Sequence, residues 1–159
     1  MKPNSPLPAG WDRLNSLPRV SLMAGPTPLQ PLPNLSTTCG RHATMFVKRD
    51  DATDLALGGN KVRQLEFYLG EAIRQNADTI LITGAVQSNF VRLAAAAARR
   101  FGMDCHIQLE RRVDRDDALY TGSGNVLLDR LLGATIHHYP EGEDEEGADR
   151  QLSEVAADL

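Results

Sequence analysis

The chain has 159 residues, 42% of them hydrophobic and 24% charged, with a formal net charge of −4. That supplies enough apolar material for one domain with its own core, while the acidic balance and lack of a basic stripe argue against nucleic acid as the main partner. No apolar run approaches the roughly 20 residues that a membrane span requires.

Residues 1–36 carry eight of the nine prolines, in phrases such as "GPTPLQPLPNL". Proline fixes φ and pushes its predecessor toward extended geometry, so this stretch predicts an extended segment lying over a surface. It is too proline-rich for the apolar core of a signal peptide, which makes the cytoplasm the expected compartment. "TMFVKR" (44–49) reads as a strand and 50–60 as a loop. Val62, Leu65, Leu69 and Ile73 then recur at helical spacing, predicting a helix from Val62 to about Gln75. "DTILIT" (78–83) is nearly all apolar, as a buried parallel strand is. "GAVQSN" (84–89) turns into a helix over 90–101, whose alanine run predicts close packing. "DCHIQLE" (104–110) alternates as a strand, and residues 111–122 read as a polar loop. "SGNVLLDRLLG" (123–133) is a helix, "ATIHHY" (134–139) a strand, "PEGEDEEG" a solvated turn, and "ADRQLSEVAADL" a last helix running to the end. Alternating strands and helices predict an α/β fold: an open, mostly parallel sheet with flanking helices. Residues 61–159 can form a compact unit, and residues 1–60 read as part of something larger.

Lys61 stands where the glycines of "LGGNKVRQLE" meet a helix. A helix N-terminus disfavours an ammonium, and a desolvated lysine there can offer a neutral amine to a carbonyl; on its own, a solvent-exposed side chain is the plainer reading. In "TGAVQSNFVR" (83–92) a strand ends in glycine and a helix opens. Backbone N–H groups at such a start bind carboxylate or phosphate, and Gln87, Ser88 and Asn89 can add to them; simple capping by Ser88 or Asn89 is the alternative. Cys39 and Cys105, with no CxxC or Cys/His cluster, read as structural, and no zinc or other metal site is expected. His137 and His138 read as surface or satisfied core residues, and the acidic residues 141–146 as a solvated turn. "TGSGN" (121–125) resembles a phosphate loop but lacks the Walker lysine, so helix capping suits it better; a nucleotide-binding protein is further disfavoured by the lack of GxGxxG after the first strand.

Five motifs in register, "PTPL" (26–29), "KRDD" (48–51), "GGNKVRQLE" (58–66), "TGAVQSNFVR" (83–92) and "SGNVLLDRLLGA" (123–134), resemble one group of enzymes. This is the D-cysteine desulfhydrase and 1-aminocyclopropane-1-carboxylate deaminase family, which also contains L-cysteate sulfo-lyase. Its members use pyridoxal 5'-phosphate and have the tryptophan synthase β-like fold, fold type II. The resemblance implies that Lys61 holds the cofactor covalently and moves the substrate's α-proton. It implies that Asn89 hydrogen-bonds the cofactor's phenolic oxygen, that Ser88 acts at the substrate, and that Gln87 helps hold the substrate's carboxylate. Phe90 stands on the substrate side where family members carry histidine or glutamine, implying a more apolar pocket. A small amino acid is the implied substrate, with α,β-elimination of D-cysteine to pyruvate, ammonia and sulfide as the leading reaction. The resemblance covers only the N-terminal part of the family's chain. Residues 1–60 would belong to the larger, incomplete domain and 61–159 would be the small α/β domain. The family's phosphate cup lies beyond the matched motifs, so weak or no activity is expected of this chain alone. A homodimer, or association through the surface left bare, is also implied; the rival reading is a non-catalytic remnant that acts as a binding or dimerising module.

Overall fold

The computed structural model of the chain describes residues 10–40 and 43–159. In the first part, α1 (Trp11–Asn15) is followed by β1 (Leu29–Pro31), α2 (Pro33–Thr38) and β2 (Phe46–Lys48). β1 and β2 form an antiparallel pair with Leu29 opposite Lys48. The expectation of an extended segment over 1–36 is thus overturned at two places. α2 forms because Pro33 occupies the first helical position, where its fixed φ is helical and its missing N–H costs nothing. Residues 1–9 of that expectation lie outside the described residues.

The second part alternates as the sequence predicts: α3 (Val62–Arg74), β3 (Thr79–Ala85), α4 (Asn89–Arg100), β4 (Asp104–Glu110), α5 (Ala118–Gly122), α6 (Gly124–Leu131), β5 (Thr135–Tyr139) and α7 (Glu145–Ala157). The sheet is parallel, in the order β3-β4-β5, with Ile82 beside Ile107 and Ile107 beside Ile136. The predicted polar loop over 111–122 contains α5, because the Asp117 carboxylate accepts from Tyr120 N–H (3.0 Å) and caps it. α7 likewise begins inside the predicted turn, where Asp144 accepts from Gly147 N–H (2.9 Å). Among the described residues no helix is long and apolar enough to cross a membrane.

β4 is central and two-faced. Cys105, Ile107 and Leu109 are buried against Val91, Leu93 and the alanines of α4, joined by Val62, Leu65 and Leu69 of α3 and Val126 of α6. Alanine suits this layer, since it favours the helix and lets α4 approach the sheet closely. The alternate β4 residues face the other way. Gln108 Nε2 donates to the Ala148 carbonyl (2.9 Å), and α7 covers that face. Among the described residues β3 is an edge strand.

A strap over residues 18–23 crosses α3 and inserts Leu22, 1% exposed, into the same core. Buried Glu66 is its anchor: the carboxylate accepts from Arg19 Nε (2.8 Å) and Leu22 N–H (3.0 Å). A buried carboxylate is tolerable with such partners. Part of the first 60 residues therefore packs with the sheet unit.

Candidate active site

Lys61 sits immediately before α3, at the end of a loop with an unusual backbone. Asp54, Ala56 and Leu57 all have positive φ (64°, 42° and 70°), and Gly58 follows at 73°. Each such non-glycine residue costs roughly 1 kcal/mol, so surrounding structure must impose the shape. The constraints are visible. Gly59 N–H donates to the Asp50 carbonyl (3.0 Å) and to the hydroxyl of fully buried Thr53 (2.9 Å). Arg63, in the first turn of α3, donates to Asp50 Oδ1 (2.7 Å) and Thr27 Oγ1 (3.0 Å). A Cβ on Gly58 would lie 2.1 Å from the Asp51 carbonyl oxygen, so only glycine fits. This loop turns half-buried Lys61 so that its Nζ lies 5.7 Å from the centroid of the Phe90 ring, a cation–π distance. Phe90 in turn lies 6.5 Å from Tyr68 of α3, ring to ring. Both aromatics line a groove of about 460 Å³ between α3, α4 and β3.

The second corner joins β3 to α4. Ser88 is the N-cap, its Oγ accepting from Val91 N–H at 3.4 Å. Asn89 is exposed, and its Oδ1 accepts from Asn125 Nδ2 (3.2 Å). The Gln87 side chain turns toward α5 and α6. Its Nε2 donates to the carbonyls of Tyr120 (2.6 Å) and Ser123 (3.0 Å), and its Oε1 accepts from Asn125 N–H (2.9 Å). Both amide hydrogens of Gln87 are spent on this segment, so a substrate carboxylate would find none there. "TGSGN" is thus a capped helix start, but the cap comes from Gln87. Ser123 occupies the N-cap position and its hydroxyl donates instead to the Leu119 carbonyl.

The two corners are tied by Arg92, one turn into α4 and 5% exposed, whose Nη2 donates to the Gly58 carbonyl (2.8 Å). Asp129 of α6, 1% exposed, is its charge partner, though no protein atom hydrogen-bonds its carboxylate among the described residues. Burial raises the Asp129 carboxyl to about 6 against the opposing pull of Arg92. Sequence reading missed Arg92 and Asp129, because a charged residue in a helix reads as surface until the packing is known. It also missed Asn125, whose part depends on a contact 38 residues away.

Phe90 and Lys61 are therefore brought together, Ser88 and Asn89 immediately precede Phe90 in the chain, and Gln87 is directed to a neighbouring segment. His137 stacks on His106, with Nε2 3.1 Å from His106 Nδ1. Cys105 is buried, its thiol pushed up to about 12 by burial and then by Asp129, which makes it inert. Cys39, expected to be structural, is exposed instead. Among the described residues no three His, Cys, Asp or Glu side chains gather as metal ligands would.

Residues 20–158 match the family described as pyridoxal-phosphate dependent enzyme. The chain belongs to that family. Among curated relatives of the chain, a 1-aminocyclopropane-1-carboxylate deaminase of Bradyrhizobium sp. (strain BTAi1) is 42% identical over 133 residues. The match covers 83% of this chain and 39% of the relative. A D-cysteine desulfhydrase of Klebsiella pneumoniae (strain 342) is 47% identical over 123 residues, 77% of this chain and 37% of the relative. A crystal structure of a deaminase homologue superposes with a TM-score of 0.81 at 35% identity, covering 97% of this chain and 44% of the other. The chain thus spans less than half the length of these relatives, and it shares the α/β fold expected from the resemblance with the solved deaminase homologue.

Proposed function

We propose that this chain carries the lysine-bearing portion of a pyridoxal-phosphate lyase or deaminase acting on a small amino acid, as a D-cysteine desulfhydrase does. The observation that carries the reading is the Lys61 amine, held by a strained loop beside the first turn of α4 and over the Phe90 ring. The residues fit the cofactor on this side. An amine can meet its aldehyde, and the Nδ2 of Asn89, without a partner among the described residues, can donate to its ring oxygen. When bound, the cofactor's ring accepts the electrons left by the departing α-proton.

In this reading Lys61 binds the cofactor and moves the proton at the substrate's Cα. The Ser88 hydroxyl keeps its hydrogen free while its oxygen caps α4, and so can donate to the substrate. Phe90 is an apolar wall on the substrate side that excludes water from the Lys61 amine. Gln87 acts on the substrate side only indirectly, by holding the 120–125 segment in place. Residues 61–159 form the small domain and 1–60 contribute to a larger one, in a cytoplasmic protein. In this reading turnover by the chain alone is weak, because the chain spans 39% of a relative's length and the phosphate cup that the resemblance implies lies beyond the matched motifs. Deamination of the cyclopropane amino acid and elimination from L-cysteate are the competing reactions.

The test is borohydride reduction of the chain with pyridoxal phosphate, followed by mass spectrometry. A modified Lys61 peptide, lost in Lys61→Ala, is expected; modification spread over surface lysines with Lys61 untouched would reject the reading. A second reading, a non-catalytic associating or dimerising module, draws on exposed Leu29, Phe46, Leu57 and Tyr68 and on the open edge of β3. Sedimentation of the chain with and without cofactor separates the two.

A further inference from the structure

The amides of Gln87, Asn125 and Asn89 form a one-way chain. The carbonyls of Tyr120 and Ser123 can only accept, and they lie 2.6 and 3.0 Å from one atom of Gln87, which must be Nε2. The other atom, Oε1, then faces the Asn125 backbone N–H at 2.9 Å, which can only donate. Gln87 is thereby fixed by three backbone groups that agree. Asn125 is fixed in the same way: its side-chain atom 2.7 Å from the Gln87 carbonyl must be Nδ2. That Nδ2 lies 3.2 Å from Asn89, so Asn89 must turn its oxygen inward. Reversing Asn89 would set one NH₂ group against another.

The turn that carries the chain is specific to its residues. Gly124 has φ 58°, and a Cβ there would lie 2.6 Å from Gln87 Oε1, so any other residue would push Gln87 away from the Asn125 N–H.

We propose that Asn125 is a positioning residue that holds the Asn89 carboxamide with Nδ2 outward, making this corner selective for a ligand that presents an oxygen acceptor. A phenolate or carboxylate oxygen meets a donor, whereas a ligand offering an N–H or nothing gains no bond. This deepens the proposed function, in which Asn89 meets the cofactor's ring oxygen. The backbone carbonyls supply the direction, and Asn125 transmits it across 36 residues of sequence. One ordinary hydrogen bond sets a preference of about tenfold between the two orientations of Asn89.

Two measurements test it. The first needs no ligand. In chain labelled with ¹⁵N at asparagine side chains, the NH₂ signals of Asn125 and Asn89 are assigned by Asn125→Asp and Asn89→Asp. Slow hydrogen exchange at Asn125 Nδ2 and fast exchange at Asn89 Nδ2 are expected; the reverse order would overturn the proposal. The second compares borohydride trapping at Lys61 by pyridoxal phosphate with trapping by its analogue lacking the ring hydroxyl. The chain should favour the hydroxyl-bearing aldehyde by about tenfold. Asn125→Ala, which keeps the backbone N–H bond to Gln87, should cut that ratio several-fold, and Asn125→Asp, able only to accept, should abolish it. An unchanged ratio in both variants would overturn the proposal. If neither aldehyde reached Lys61, the cofactor reading would fail, while the exchange measurement would still decide the orientation of Asn89.

Discussion

The turn before α3 and the turn before α4 each deliver a helix start to the same place, yet they are held in different ways. The second follows local rules: a strand ends, Ser88 caps the helix with its own side chain, and no residue from Gln87 to Phe90 has positive φ. The first violates them, with three left-handed non-glycines in a row of four residues, and it is held by Asp50 and Thr53 at its own base and by Arg63 of α3 and Arg92 of α4. A locally specified turn tolerates loss of one contact. An imposed turn stores strain that each lost contact releases.

The sharpest way to break that contrast is Gly58→Ala. With φ at 73° and the new Cβ 2.1 Å from a backbone oxygen, the loop must move. A loss of about 3 kcal/mol in urea unfolding is expected, together with loss of Lys61 trapping. A variant with unchanged stability would show that the loop is not imposed.

Asp129→Asn probes the support under the same loop. The folded carboxyl titrates at about 6 against 3.8 for the ordinary group, so the folded chain holds that proton more tightly. Its contribution to stability is fully present below about pH 4 and is lost as pH rises through about 6. The difference amounts to at most about 3 kcal/mol. Unfolding free energies measured from pH 4 to 7 should decline less in Asp129→Asn than in the parent. Parallel curves would mean that Asp129 is not a buried, titrating neighbour of Arg92.

Ser88→Ala has the smallest expected effect on stability, about 1 kcal/mol for one lost cap. Trapping of pyridoxal phosphate at Lys61 should survive it, because Asn89 and the amine stay in place, while any elimination activity should fall. A stability loss as large as that of Gly58→Ala would erase the difference between the two turns.

Much of this was legible in the residues. Helix α3 is readable from Val62, Leu65 and Leu69, and the alanines of α4 by themselves announce close packing. The sequence pattern places the strands of the parallel sheet within two residues of β3, β4 and β5, because apolar runs bounded by glycine and asparagine leave few alternatives. Leu22 could not be placed: a leucine among prolines gives no sign of which surface it will meet. Nor did α5 declare itself, since five residues carry too little periodicity and its cap, Asp117, lies in a run of charges.

Sequence by itself determined the parallel α/β layer, the family, and Lys61 as the residue to examine, because periodicity and short motifs are local properties that survive without knowledge of neighbours. Only the tertiary structure decided that Gln87 serves α5 and α6, that Arg92 holds the Gly58 carbonyl above a buried Asp129, and which way Asn89 faces. Those are matters of direction and distance between residues 30 or more positions apart, which folding alone brings within hydrogen-bonding or electrostatic reach.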